Sequence, residues 1–349
     1  MSRITYILVI ALLLFSCSKK KDFGPQYSED PPQPVTKVVS GALVLNEGNF
    51  GFGNASLSVI DFDNGEVQNK VFEFANGKKL GDVGQSLLII DSLAFVVVNN
   101  SNKIVVIDLK NFKQVKEIKI SGAPRYLVEY ENLILISTMG SNSIQALNRD
   151  TYEVSPFVQV SGWIEGMVIN NGKLFACNRD MNVVDVIDLK AKSLEQRIVV
   201  GKEPESLVVD SLGDLWILCT GGYNKNDREQ ASIYKISTTT LRNELIYQFA
   251  DIEHSPTRLR LNKEATSVYF INNGIFKLDL IKKGEPALVL EQPKGDIYYG
   301  LAVNPGNGHL FVGNAKDYIK LGEVIEIANN STILNKYRVG IIPQFIGFY

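Results

Sequence analysis

Four polar residues recur at an even spacing along the middle of the chain. Gln85, Arg125, Glu165 and Glu205 stand forty positions apart, each near the start of a short apolar segment. Together they offer an amide, a guanidinium and two carboxylates. Such a set can bind a polar ligand through several hydrogen bonds, or supply a carboxylate pair for acid–base catalysis. Either chemistry needs a fold that brings positions forty residues apart to one place.

The segments that carry these residues are copies of one unit. A period near forty residues is typical of repeat architectures. Inside the copies, Ala94–Asn99 aligns with Lys173–Asn178, and Ile107–Leu109 aligns with Ile187–Leu189. These runs are rich in Val, Ile and Phe and are bounded by Asn, Gly and Asp, which indicates short strands joined by tight turns. Four strands fit in one period, so each unit is predicted to be one blade of a β-propeller.

The two ends of the repeat region are complementary. Gly41–Asn46 has the pattern of a second strand without a first, and Pro343–Tyr349 that of a first strand without a second. Joined, they make one blade in which the C-terminal strand closes the ring. We therefore predict an all-β, seven-bladed propeller of four-stranded blades over residues 41–349, with no helix in its core. The blades open near residues 84, 124, 164, 204, 256, 298 and 343.

Residues 1–16 are predicted to be a lipoprotein signal peptide. Arg3 precedes an apolar run that is too short to span a bilayer, and Leu14–Cys17 resembles a bacterial lipobox. We expect cleavage before Cys17 and lipidation of its thiol, with an ordinary secretory signal as the alternative. Residues 17–40 carry four prolines among polar residues, which indicates an extended tether.

A short charged segment bears on localisation. Lys19–Asp22 loosely resembles the signals that send lipoproteins of Bacteroides-type bacteria to the cell surface. We expect a lipid anchor in the outer membrane with the protein exposed at the surface, and a periplasmic orientation stays open.

Charge and cysteine content narrow the functional classes. The chain has 36 basic and 38 acidic residues and a net charge of −2, so no global field attracts nucleic acid. After Cys17, only Cys177 and Cys219 remain, and each closes an apolar strand in neighbouring blades. We expect both to be small buried thiols, with a bridge between blades as the alternative.

Metal and cofactor chemistry finds little support in the motifs. His254 and His309 have no second ligand at metal-binding spacing. Asp61–Glu66 departs from the register of a calcium loop and fits a hairpin turn better. We predict no cofactor, no metal and no catalytic residue, although Glu165 and Glu205 leave a hydrolase or lyase as an alternative.

The predicted site lies at one mouth of the propeller channel. The innermost strand of each blade begins at that mouth, and the turn between the second and third strands returns to it. Residues of both sets should therefore meet there. The predicted ligand-binding residues are Asn46, Glu47, Gln85, Asn100, Arg125, Glu165, Asn178, Arg179, Glu205, Arg258, Asn273, Tyr299, Asn314 and Gln344.

Amide and aromatic side chains together indicate the kind of ligand. Phe50, Phe52, Trp163, Tyr223 and Tyr318 lie near the predicted site residues in sequence. Amides donate and accept hydrogen bonds while aromatic faces cover flat apolar area, so the mouth suits a large ligand with many amide or hydroxyl groups. Two alternatives stay open: the turn asparagines serve only hairpin geometry, or water fills the channel.

The chain resembles the YncE-like propeller proteins over nearly everything after residue 40. Asn46–Asn49, Gly84–Ser86, Asn99–Ser101 and Cys177–Asp180 look like the surface lipoprotein propellers of Bacteroides-type bacteria, which include the BtuG-type cobalamin binders. The resemblance implies a non-enzymatic propeller that captures cobalamin or another corrinoid and passes it to a TonB-dependent outer-membrane transporter. The alternatives are a scaffold that binds a protein or glycan beside a nutrient-uptake transporter, and a propeller hydrolase or lyase.

Overall fold

The computed structural model describes residues 40–349. The predicted signal peptide, Cys17 and nearly all of the predicted tether lie outside the described residues. No helix within residues 40–349 combines the length and apolar character that crossing a membrane requires.

The strands form seven separate four-stranded antiparallel sheets. The first sheet begins with β1 (Gly41–Asn46), β2 (Ser56–Asp61) and β3 (Val67–Gln68). Blade 2 comprises β4 (Gly84–Ile90), β5 (Leu93–Val98), β6 (Lys103–Asp108) and β7 (Gln114–Lys119). Blade 3 comprises β8 (Pro124–Tyr130), β9 (Leu133–Thr138), β10 (Ser143–Asn148) and β11 (Val154–Gln159). Blade 4 comprises β12 (Ile164–Asn170), β13 (Lys173–Asn178), β14 (Val183–Asp188) and β15 (Ser193–Val199).

The later repeats continue in the same order. Blade 5 comprises β16 (Pro204–Val209), β17 (Leu215–Cys219), β18 (Ser232–Ile236) and β19 (Asn243–Gln248). Blade 6 comprises β20 (Thr257–Leu261), β21 (Ser267–Ile271), β22 (Gly274–Asp279) and β23 (Ala287–Glu291). Blade 7 comprises β24 (Tyr298–Val303), β25 (Leu310–Asn314), β26 (Glu323–Ile327) and β27 (Ile333–Arg338). Short 3₁₀ turns occupy Asn99–Ser101 and Lys225–Asp227.

The C-terminal strand β28 (Pro343–Phe348) completes blade 1. It is the innermost strand of that blade and pairs antiparallel with β1, with Val44 opposite Ile346. Gly41 and Tyr349 exchange backbone hydrogen bonds of 3.0 and 3.1 Å beyond the last strand residue. The predicted all-β, seven-bladed propeller with C-terminal closure is confirmed.

The core lies between the blades. The second strand of every blade is buried along its whole length or in all but its first residue. Outer strands such as β7 and β27 are largely exposed. Apolar side chains of one blade therefore pack against the next blade, and each fully buried Leu, Ile or Phe contributes about 1.5–3 kcal/mol.

One helix contributes to this core, so the prediction that none would was wrong. Helix α1 (Val71–Asn76) follows the two-residue strand β3 and buries Val71 and Phe72. Both side chains belong to the apolar cluster between blades 1 and 2. The helix is less than two turns long, which is too short to show a helical apolar period in the sequence.

Cys177 and Cys219 are free thiols, as expected for small buried residues. Both lie in one apolar cluster between blades 4 and 5. Burial raises the pKa of Cys219 to about 12 and that of Cys177 well above its ordinary value. Neither thiol is therefore ionised at neutral pH, which makes both poor nucleophiles.

Candidate ligand-binding site at the channel mouth

A β-bulge lies at the start of the inner strand in all seven blades. In β4 the pairing passes from Gly84 to Ser86, and in β16 it passes from Pro204 to Ser206. The other five inner strands show a register shift at the equivalent place. A bulge redirects the side chain of the residue that it leaves unpaired. The second residues of the inner strands, which we call the channel ring, are Gln85, Arg125, Glu165, Glu205, Arg258, Tyr299 and Gln344.

Contacts between blades show that these residues converge. Gln344 Nε2 of blade 1 donates to the Gln85 backbone oxygen of blade 2 at 2.9 Å. Arg258 Nη1 of blade 6 donates to the Tyr126 hydroxyl at 2.8 Å, although Tyr126 belongs to blade 3. Residues separated by three blades can meet in this way only close to the propeller axis.

Arg125 organises one half of the channel ring. Its Nε and Nη2 donate to the two carboxylate oxygens of Glu165 at 3.0 and 2.8 Å, and its Nη1 donates to Gln85 Oε1 at 2.5 Å. Arg179 Nη1 lies 3.4 Å from the same carboxylate, and Arg179 also pairs with Glu203. Burial by itself would lower the pKa of Arg125, but the charge of Glu165, its hydrogen bond and the interaction with Tyr126 together outweigh burial, and the pKa is raised. Glu165 thus holds two cations from different blades.

Arg258 organises the other half. Glu205 accepts from the Arg258 backbone N–H and from Nη1, both at 3.1 Å, and Arg258 Nε donates to the Tyr299 carbonyl at 3.2 Å. The guanidinium lies 5.6 Å from the Tyr299 ring centroid, within cation–π range. Arg258 has φ +65°, a strained left-handed conformation that its many contacts stabilise.

Glu205 makes the stability of the ring pH-dependent. Burial would raise the pKa of Glu205, but the charge of Arg258 and hydrogen bonds from Ser206 and Arg258 outweigh it, so the pKa is lowered. A lowered folded pKa contributes stability above the unfolded pKa of about 4.3, and that stability is lost as pH falls through the folded pKa.

We therefore expect Glu205→Gln to destabilise the protein strongly at pH 7 and progressively less below about pH 4.3. Urea unfolding of both proteins between pH 7 and pH 3 measures this difference. Glu285→Gln, at an exposed carboxylate, is the matched control. A difference between wild type and Glu205→Gln that stays constant across the range would contradict the expectation.

Glu47 lies beside the second half of the ring. Burial raises the pKa of Glu47 despite a hydrogen bond with Tyr299 and the charges of Arg258 and Arg125. Tyr299 also packs edge-on against Tyr318, with 5.8 Å between ring centroids. Glu47 is thus joined to the rim of the mouth through two tyrosines.

Three of the predicted turn residues do not reach the mouth. Asn46, Asn178 and Asn314 have no exposed surface. Their side-chain amides donate to Ser58 Oγ at 2.9 Å, Asp185 Oδ2 at 2.8 Å and Glu323 Oε1 at 3.1 Å, each within its own blade. These asparagines stabilise the turns, which corrects their assignment to the ligand site. The fully buried amides have no surface left for a ligand.

Asn100 and Asn273 are exposed in their turns. Asn100 Nδ2 donates to Asp82 Oδ2 at 2.6 Å, and Asn273 adopts the positive φ of a tight turn. Both stay at the rim, outside the network of the channel ring.

A cavity opens at the mouth between blades 4 and 5. It has a volume of about 590 Å³, and Trp163, Arg179, Lys202, Glu203 and Tyr223 line it together with residues of the neighbouring loops. A second cavity of about 600 Å³ lies against the outer strands of blades 2 and 3, and its walls include none of the channel ring. Of these two cavities, the first adjoins the predicted site.

Lys202 and Glu203 were not predicted from the sequence. Glu203 stands forty positions after Trp163, in the same place of the repeat. The period that aligned Glu165 with Glu205 therefore also marks the residue two positions before each of them. The alignment of Glu203 with Trp163 could therefore have identified Glu203 from the sequence.

The part of the chain that the structure describes contains no cluster of potential metal ligands. Within residues 40–349, no three His, Cys, Asp or Glu side chains are placed to hold a metal ion together. His309 Nδ1 lies 2.8 Å from Glu326 Oε1, a pairing that sequence spacing did not suggest. His254 Nδ1 lies 2.8 Å from the Asn272 amide.

The fold and its mouth define the class of protein, a seven-bladed β-propeller with a polar channel ring and a cavity beside it. The chain belongs to the family described as "Domain of unknown function (DUF5074)", whose model matches residues 40–330. No curated protein matches the sequence significantly.

Solved propellers share the fold at low sequence identity. One is a quinonprotein alcohol dehydrogenase-like protein from Bacteroides thetaiotaomicron, with a TM-score of 0.69 and 14% identity over 88% of this chain and 78% of that one. Another is a putative 6-phosphogluconolactonase from Bacteroides fragilis, with a TM-score of 0.65 and 14% identity over 92% and 100%. The periplasmic gluconolactonase of Pseudomonas aeruginosa has a TM-score of 0.64 and 15% identity over 88% and 98%. This likeness shows a shared fold and does not transfer an activity.

Proposed function

We propose that this protein is a non-enzymatic capture protein that binds cobalamin or another corrinoid at the channel mouth. One observation carries the proposal: the charged residues of the channel ring pair with one another, while flat apolar rings remain exposed around them. Arg125 pairs with Glu165, and Arg258 pairs with Glu205, so the charges of these four residues balance. A mouth of this kind suits a broad ligand with a flat body and many uncharged polar groups, which describes a corrin with its peripheral amides.

The exposed aromatic residues come from loops on one face. Phe50 is 75% exposed in the β1–β2 turn, and Tyr223 and Tyr318 are exposed in the equivalent turns of blades 5 and 7. Asn49 Nδ2 donates to the Tyr318 carbonyl at 2.6 Å, which holds the loops of blades 1 and 7 together. Exposed aromatic rings grouped on one face are typical of a binding surface.

The state of the carboxylates supports binding without catalysis. A general acid needs a pKa near the working pH, whereas the pKa of Glu205 is lowered and its carboxylate is held by Arg258. Glu165 is held by Arg125 and Arg179. Both carboxylates of the hydrolase or lyase alternative are therefore committed to ion pairs.

We further propose that a lipid on Cys17 anchors the protein at the outer membrane, where it passes its ligand to a TonB-dependent transporter. The lipobox-like Leu14–Cys17 and the proline-bearing tether motivate this part of the proposal. Fractionation of cells that express Cys17→Ser tests the anchor, because an unlipidated chain would leave the membrane fraction.

The experiment for the ligand is calorimetric titration of the unlipidated chain, residues 17–349 carrying Cys17→Ser, with cobalamin and cobinamide. We expect a dissociation constant at or below the micromolar range. Tyr318→Ala should weaken binding about tenfold through the loss of one stacking surface. Ile281→Ala, at an exposed residue in a β22–β23 turn on the opposite face, should leave the affinity unchanged.

Absence of binding at micromolar protein and ligand would remove corrinoids as the ligand. Binding of a glycan in the same assay would favour the alternative of a scaffold beside a nutrient-uptake transporter.

A further inference from the structure

We infer that the cavity between blades 4 and 5 is a subsite for a planar heteroaromatic ring, which stacks between the Arg179–Trp163 pair and Tyr223. This inference deepens the proposed function and rests on it, because cobalamin carries such a ring as the base of its nucleotide arm and cobinamide lacks it. The subsite would then distinguish complete corrinoids from those without a base.

One wall of the cavity is a preformed flat stack. The Arg179 guanidinium carbon lies 4.5 Å from the centroid of the Trp163 ring, and Arg125 lies 5.5 Å from the same ring. Arg179 is fixed from its edge by Glu165 and Glu203, so the plane of the guanidinium is held in place. Guanidinium and indole planes both stack on aromatic rings, and a fixed plane loses little entropy on binding.

The cavity is also lined by Tyr223, which lies in the loop of residues 220–231 between β17 and β18 of blade 5. Tyr223 is 84% exposed, yet the loop beneath it is held to the body of the blade. The Tyr223 backbone N–H donates to Glu203 Oε1 at 3.2 Å, and the Gly221 N–H donates to the Lys202 carbonyl at 3.1 Å. Lys202 Nζ also pairs with Asp227 at 2.5 Å. The aromatic ring is thus presented at the cavity on a loop with fixed ends.

The Trp163 indole, whose residue lines the cavity, carries a hydrogen-bond donor without a partner in residues 40–349. Trp163 Nε1 is buried and has no acceptor among the described residues, although the Trp163 backbone N–H donates to Asp180 Oδ2 at 2.8 Å. A buried donor without an acceptor costs free energy unless a ligand supplies one. A heteroaromatic ring brings a ring nitrogen that accepts a hydrogen bond when no metal coordinates it, whereas a plain hydrocarbon ring does not.

The charges of the cavity disfavour an anionic ligand group, because its lining contains the exposed Asp180 carboxylate in addition to two ion pairs. Arg179 pairs with Glu203, and Lys202 pairs with Asp227. Neither cation is left to attract an anion, and neither of these carboxylates is left to attract a cation. Stacking and one hydrogen bond are the interactions that remain, and a planar heteroaromatic ring uses both.

The test follows the indole N–H by nuclear magnetic resonance. The chain has two tryptophans, and Trp216 is fully buried with Nε1 donating to Asp210 at 2.8 Å. Titration of the ¹⁵N-labelled unlipidated chain with 5,6-dimethylbenzimidazole riboside should shift the Trp163 indole resonance and leave that of Trp216 in place. Ribose, which lacks the base, is the matched probe, and it should shift neither resonance.

Calorimetry then compares cobalamin with cobinamide. We expect the wild type to prefer cobalamin by about tenfold or more, and Tyr223→Ala to remove most of that preference, since one stacking surface accounts for about that factor. Leu212→Ala is the control, because Leu212 is 82% exposed in a turn on the opposite face. Trp163→Phe keeps a stacking ring and removes the donor, and it should give an intermediate loss.

The outcomes separate this inference from the proposed function. A shift of the Trp163 resonance by the riboside without binding of any corrinoid would keep the subsite and overturn the corrinoid proposal. Equal affinity for cobalamin and cobinamide, unchanged by Tyr223→Ala, would overturn the subsite while leaving corrinoid binding in place. An unmoved Trp163 resonance at saturating cobalamin would also overturn the subsite.

Discussion

Glu165→Gln should lower the free energy of unfolding by about 3–5 kcal/mol, the usual cost of removing one partner of a buried ion pair. Glu165 is 1% exposed and accepts from two atoms of Arg125 and from Arg179. A neutral amide turns an N–H toward at least one of these guanidinium groups, which have only donors. Arg125 and Arg179 then keep their charge in a buried place without full compensation.

Urea unfolding at pH 7 measures this loss, and Glu195→Gln in the same blade is the control. Glu195 lies on the outer strand β15, its side chain is 39% exposed, and it pairs with Lys173. Exposed pairs contribute roughly 0–1 kcal/mol, so the control variant should unfold almost like the wild type. Equal effects of the two substitutions would show that the channel ring does not stabilise the fold.

Deletion of residues 343–349 should prevent stable folding. The deletion removes β28, the inner strand of blade 1, and exposes the edge of β1. It also removes the packing of β28 against the inner strands β4 and β24 of the adjacent blades. Loss of several buried apolar side chains together with a whole strand approaches the full stability of an ordinary domain, about 5–15 kcal/mol. Circular dichroism, thermal unfolding and size-exclusion chromatography should report an unfolded or aggregated chain.

A circular permutant is the control that distinguishes the loss of β28 from a mere change in the position of the chain ends. A short Gly-Ser linker can join Tyr349 to Gly41, whose backbones already exchange hydrogen bonds, and new termini can be placed in the exposed turn at residues 110–111. The permutant keeps every strand and should fold. Cooperative unfolding of the truncated chain near the wild-type temperature would contradict the proposed role of β28.

The contact between blades 7 and 1 can also be tested by adding one methyl group at a glycine. At Gly313, an added Cβ would lie 2.0 Å from the Pro343 carbonyl oxygen, whereas at Gly140 it would meet nothing within 4 Å. Gly313→Ala should therefore destabilise the closure between blades 7 and 1, and Gly140→Ala serves as its control in the same unfolding assay.

The mouth of the channel could be predicted from the sequence because it depends on position within the repeat. The period of forty aligned Gln85, Arg125, Glu165 and Glu205, and a closed ring of equivalent blades must place equivalent residues around one axis. The complementary ends at Gly41–Asn46 and Pro343–Tyr349 predicted the closure for the same reason.

The asparagines show where this reasoning stops. Asn178 ends the second strand β13 and Asn100 follows the second strand β5, yet Asn178 is buried against Asp185 while Asn100 is exposed beside Asp82. A turn residue and a ligand contact have the same sequence pattern, because both favour amides. Which of them a given asparagine becomes depends on whether its own blade supplies a partner.

By itself, the sequence determined the number of blades, the way the ring closes and the seven residues that face the channel, since each follows from a repeated local pattern. Only the tertiary structure decided the pairings inside the ring, the short helix α1 and the cavity under Tyr223. The contact between Tyr126 and Arg258 joins residues 132 positions apart in blades that are not adjacent. No local pattern encodes such a pair, because its distance depends on the packing of every blade between them.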